Sequence, residues 1–99
     1  MKVNQSFCGG SLQGYITITH SELVKVLGEG MGPGDKSLDE WEIEDELDGE
    51  TVAATIYDWK NYGMSAHNIT NWHIGGNGPK SVELVRKVFP NAIIKVGWY

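Results

Sequence analysis

Apolar residues in this chain recur with two different periods, and the alternation between them outlines the elements. Gly14-Tyr15-Ile16-Thr17-Ile18 alternates and is rich in β-branched residues, which predicts a strand. Thr19 and Glu22 then stand at capping-box spacing just ahead of Leu23, Val24 and Leu27. A short helix from about His20 to Leu27 follows, with Gly28 as its natural stop. Glu29 to Asp35 holds Gly30, Gly32, Pro33 and Gly34 and reads as a loop.

The strongest signal is a hairpin, Leu38 to Leu47 and Glu50 to Lys60 about Asp48-Gly49, a dipeptide suited to a two-residue type I′ turn. Pairing outward from that turn sets Ile43 opposite Ala54 and Trp41 opposite Ile56. Trp41, Ile43, Val52, Ala54 and Ile56 then share one face. Glu40, Glu42, Glu44 and Glu46 share the other with Thr51, Ala53, Thr55 and Tyr57. A slip of one residue would bury four glutamates, so the register is well determined.

Asn61 to Thr70 is a polar loop, and Asn71-Trp72-His73-Ile74 a short strand ended by Gly75-Gly76-Asn77-Gly78. Pro79 suits the first position of a helix whose stripe is Val82, Val85, Val88 and Phe89. Pro90-Asn91 stops it, and Ala92 to Tyr99 reads as a last strand. The order β-α-β-β-β-α-β predicts one α+β domain over residues 1–99, an antiparallel or mixed sheet with two helices on one face. Ile16, Ile18, Trp41, Ile43, Ile56, Trp72 and Ile74 would lie under the helices. Alternation then puts Tyr15, Thr17, Glu40, Glu42, Glu44, Thr55, Tyr57, Trp59 and His73 on the opposite face. That face is either solvated or meets a ligand or a second copy of the chain, since Tyr and Trp are favoured at interfaces.

Composition narrows the partners. At 99 residues, 40% apolar and 10% aromatic, the chain supports one modest core. No stretch is long and apolar enough for a membrane span, Met1 to Gly10 lacks the apolar run of a signal peptide, and a cytoplasmic location is expected. The single Cys8 excludes an intramolecular disulfide. The net charge of −5 is uneven: positions 35–50 hold nine acids and one base, while the remainder holds four acids and seven bases. General nucleic-acid binding needs a broad basic surface and is not expected; a small anion on the positive remainder is compatible.

Candidate chemistry is sparse. The acidic strand protects against edge pairing, mimics a phosphate backbone or, with poorer geometry, holds calcium. Gly75 to Ser81 opens a helix with Lys80 in its first turn and is either an anion site or an ordinary strand-to-helix turn; the spacing is not that of a P-loop. His20, His67 and His73 lack zinc-ligand spacing. Cys8 has no evident partner base, and Asp58 with His73 is either a proton-transfer or a structural pair. No catalysis, metal or cofactor is indicated.

Gly10-Ser11-Leu12-Gln13-Gly14-Tyr15-Ile16, Glu40-Trp41-Glu42-Ile43, Asp48-Gly49, Ala54-Thr55-Ile56-Tyr57-Asp58-Trp59-Lys60 and Trp72-His73-Ile74-Gly75-Gly76 occur in this order. Together they resemble a group of small single-domain proteins encoded by bacteriophages and other viruses, marked by the Trp-His-Ile-Gly-Gly block and matching over roughly residues 7 to 90. The resemblance implies an accessory, counter-defence role in the host cytoplasm, with either a nucleotide immune signal or a host defence protein such as a CRISPR effector as partner. Among the matching polar residues, Ser11, Gln13, Tyr15, Tyr57, Asp58, Lys60 and His73 are not explained by core packing. Tyr15 and Tyr57 would stack on a base, Gln13 and Asp58 would read its edge, and Lys60 with the Gly75-Gly76 backbone would take phosphate; stacking is worth about 1–3 kcal/mol per base. The alternative for the same set is a hydrogen-bond network tying the first strand to the hairpin. The expected activity is non-enzymatic sequestration of a small phosphorylated ligand, with homo-oligomer formation compatible with it. The competing expectation is protein binding through Glu40, Glu42, Glu44 and Glu46.

Overall fold

The computed structural model describes residues 1–5, 10–32, 38–59 and 65–97. Its elements in chain order are β1 (Lys2–Val3), β2 (Ser11–Thr17), α1 (His20–Leu27), β3 (Glu40–Leu47), β4 (Glu50–Tyr57), a 3₁₀ turn (Ala66–Asn68), β5 (Asn71–Gly76), α2 (Lys80–Val88) and β6 (Ile93–Val96). The strands form one antiparallel sheet in the order β1-β3-β4-β5-β2-β6. This is the α+β architecture expected from the sequence, extended at one edge by β1.

The hairpin has the expected register, with Ile43 opposite Ala54 and Trp41 opposite Ile56. Asp48 and Gly49 both have positive φ, 53° and 80°, as a type I′ turn requires. Thr19 caps α1 by accepting from the Glu22 N–H at 3.2 Å, and Gly28 ends it at φ 82°. The third strand of the hairpin sheet, β5, runs on through Gly75 and Gly76, two residues beyond the expected end.

One side of the sheet carries the core: Ile16, Trp41, Ile43, Ala54, Ile56, Trp72 and Ile74 pack with Leu23 and Leu27 of α1 and with Val82, Leu84 and Val85 of α2. Val82, Val85 and Phe89 are buried as expected, but Leu84 is fully buried as well and Val88 only half-buried, so the apolar stripe of α2 is rotated about the helix axis relative to expectation. Gly14 makes room on this side, because a side chain there would meet the Lys95 carbonyl and Val82. Two buried indoles tie α1 down: Trp72 Nε1 donates to the Ile18 carbonyl before the helix at 3.0 Å, and Trp41 Nε1 to the Gly28 carbonyl after it at 2.9 Å.

Candidate functional site

Strand pairing sets the site on the opposite side of the sheet. Glu40 pairs with Tyr57, Tyr57 with His73, His73 with Tyr15, and Tyr15 with Lys95. One row of side chains therefore crosses five strands, acidic at β3, aromatic over β4, β5 and β2, and basic at β6. The row exists because cross-strand partners in an antiparallel sheet share a face.

His73 is the hub. The Tyr15 ring meets it edge to face at 5.0 Å, the Tyr57 ring at 5.3 Å, and the exposed Trp59 indole lies nearly parallel to it at 6.4 Å. Partial burial among these rings lowers the His73 pKa from 6.5, opposed by the charge of Asp58. The shift favours the neutral imidazole. Burial, helped by Tyr15, raises the Tyr57 pKa, so its hydroxyl stays protonated. Tyr15, Thr17, Asn71, His73 and Lys95 line an open cleft of about 360 Å³, near the lower end of typical ligand sites. Thr17 donates to the Asn71 Oδ1 at 3.1 Å along its floor.

Glu40 ends the row in a different environment. Burial, then the neighbouring charges of Glu42, Asp39 and Asp58, raise its pKa from 4.5. A carboxylate so placed gains most from a hydrogen-bond donor or a cation.

The other expected site residues fall in several places. Gln13 sits at a bulge between Leu12 and Gly14, and its amide donates to the Gly76 carbonyl at 3.1 Å and the Ser11 hydroxyl at 3.1 Å. Gln13 therefore links β2 to β5, with Ser11 as its partner within β2, and neither bond reaches the β3–β4 hairpin. Gly75 is on the open side, with Tyr57 Cε1 3.1 Å from where its Cβ would stand; Gly76 faces the helices, beneath Ser81. Asp58 is fully buried and accepts from the Leu38 and Asp39 N–H groups at 2.8 and 3.0 Å, so it orders the start of β3 instead of reading a base edge. Lys60 and Cys8 lie outside the described residues.

The acidic strand is not the continuous exposed stripe expected. Glu42 is 6% exposed, Glu40 and Glu44 are half-buried, and only Glu46 is open to solvent. β1 pairs alongside, so β3 is not an edge, and the Asn4 side chain accepts from the Glu42 N–H at 2.8 Å. Bases from other elements meet three acids of the hairpin: Lys2 reaches Glu44 at 3.6 Å, Lys87 reaches Asp45 at 3.3 Å, and Lys80 pairs with Glu50. Lys80 is thereby engaged at the start of α2, and the Ser81 hydroxyl donates to the Ala53 carbonyl at 2.7 Å.

A second polar cluster lies on the core side. His20 Nε2 is 2.9 Å from Asp39 Oδ2, and the His67 ring packs edge to face on His20 at 4.9 Å, beside Trp41 and Trp72. Asp39 Oδ1 also accepts from the Gly32 and Glu40 N–H groups. The cluster staples α1 and the following loop to β3. Among the described residues no group of three or more His, Cys, Asp and Glu is placed to hold a metal ion, and no helix is long and apolar enough to cross a membrane.

Sequence reasoning missed Lys95 and Asn71 as members of this site. Lys95 becomes a neighbour of Tyr15 only because β6 pairs with β2, and strand order leaves no mark in a hydrophobic pattern. Compared with family models, curated proteins and solved structures, the chain matches none.

Proposed function

We propose that this protein is a non-enzymatic binder of a small phosphorylated aromatic ligand, a nucleotide, held on the open face of the sheet. The observation that carries the reading is the row Tyr57–His73–Tyr15 ending at Lys95 beside the open cleft. Tyrosine and tryptophan rings offer stacking area with little entropy to lose, and a lysine at the end of the row supplies charge for phosphate. The His73 imidazole is flanked edge to face by the Tyr15 and Tyr57 rings, which supplies a continuous surface for a planar base. Taken with the resemblance to viral accessory proteins, the role is sequestration of a nucleotide signal in an infected cell.

Thermal shift and calorimetry with a panel of mononucleotides, ADP-ribose and cyclic dinucleotides test the reading. Binding of at least one of them is expected, with the ligand recovered intact after denaturation and affinity lost in Tyr15→Ala. A panel without a binder would overturn it, and hydrolysed ligand would make the protein an enzyme. In the same assay Glu46→Lys should leave affinity unchanged, whereas blockade of a host protein through the acidic strand would be sensitive to it.

A further inference from the structure

Resting on that reading, we infer that the nucleotide lies along the row in one direction, with a base bearing an exocyclic amino group read by Glu40 and its phosphate end toward Lys95. The row carries opposite charges at its two ends and three aromatic-type rings between them. Four inter-strand spacings of about 4.8 Å separate Glu40 from Lys95, about 19 Å in all. That length takes a base, a sugar and a short phosphate chain laid out across the strands.

The two ends make different demands. Lys95 is an exposed cation on the edge strand β6, and its ammonium holds phosphate without regard to the base. Glu40 is half-buried on β3 as the cross-strand partner of Tyr57, and in its ionised form the carboxylate presents only acceptor lone pairs. An amino group of adenine, guanine or cytosine donates to such a carboxylate. The keto oxygen that replaces it in hypoxanthine or uracil sets lone pair against lone pair. Tyr57, the cross-strand partner of Glu40, provides the stacking surface next to it. His73 and Tyr15 then carry the ligand onward to the cleft lined by Lys95.

Equilibrium dialysis of the unaltered protein with ADP against IDP, and CDP against UDP, tests the orientation. ADP and CDP should bind at least about tenfold more tightly than their keto counterparts, the discrimination expected of a hydrogen bond to a charged acceptor. Glu40→Gln should narrow that ratio to about twofold. Lys95→Ala should weaken all four by a similar factor and flatten the salt dependence. Equal binding within each pair by the unaltered protein overturns the inference while leaving the nucleotide platform standing. Binding of none of the four overturns it as well, and if the wider nucleotide panel also fails, the platform falls with it. Because the paired comparison needs no substitution, misfolding of a variant does not blunt it.

Discussion

Trp41 and Trp72 meet edge to face at 5.5 Å, and their indole N–H groups grip the backbone on the two sides of α1. Each indole thus fills core volume and supplies a donor to a carbonyl that the eight-residue helix cannot itself satisfy. Trp72→Phe keeps an aromatic ring but withdraws the donor from Ile18. Urea denaturation should show a loss of about 1–3 kcal/mol. Trp41→Phe should behave alike, and the double variant should depart from additivity because the rings touch.

Asp58 is a test of burial against function. Asp58→Ala removes the acceptor of two backbone N–H groups at the start of β3 and should cost about 3 kcal/mol, with faster amide exchange at Leu38 and Asp39. Asp58→Asn retains an acceptor oxygen and should cost about 1 kcal/mol. A stable Asp58→Ala protein with weakened ligand affinity would instead return this residue to the binding site.

Two groups of the row give opposite pH signatures. The folded-state pKa of His73 lies below 6.5, so the unfolded chain binds more protons in that window. Stability is therefore at full strength above pH 6.5 and declines as pH falls through that value toward the lowered one. Glu40 behaves in reverse: its folded-state pKa is above 4.5, so its contribution is favourable at low pH and is lost as pH rises from 4.5 through the raised value. Urea midpoints measured between pH 4 and 8 (on the order of the unperturbed range) should show both slopes. His73→Gln should erase the one near neutrality, and Glu40→Gln the one at lower pH.

Adjacent glycines should separate folding from binding. A Cβ at Gly75 would stand 3.1 Å from Tyr57 Cε1, a contact the ring relieves by moving, so Gly75→Ala should barely alter the denaturation midpoint yet weaken nucleotide binding several-fold. A Cβ at Gly76 collides with Ser81, whose hydroxyl holds the Ala53 carbonyl. Gly76→Ala should lose about 1–3 kcal/mol through overpacking. Equal destabilisation by both would show that Gly75 serves the fold alone.

The elements most legible in the sequence were those specified locally. Asp48-Gly49 with alternating flanks dictates the hairpin and its register, and Thr19, Glu22 and Gly28 bound α1. β1 escaped notice because Lys2 and Val3 form two residues with no period of their own, held by Glu44 and Ile43 from far along the chain. The face bearing Tyr15, Tyr57 and His73 followed from alternation, but the position of Lys95 beside it required knowing which strands are neighbours. Asp58 misled for a related reason: it lies just past β4, where alternation no longer applies, and its burial comes from backbone donors of another segment. The pairing of His20, the first residue of α1, with Asp39, just before β3, is likewise a contact that no local pattern announces.

The place of β2 in the sheet, between β5 and β6, has a kinetic consequence. The β3–β4 hairpin closes across a two-residue turn and can assemble in about microseconds, whereas joining Tyr15 to His73 spans more than half of the chain and must wait on slow loop closure. The aromatic row is complete only when that late strand docks. On the proposed function, the capacity to hold a guest would arrive only with that docking, and a partly assembled chain would carry its acidic hairpin without the row.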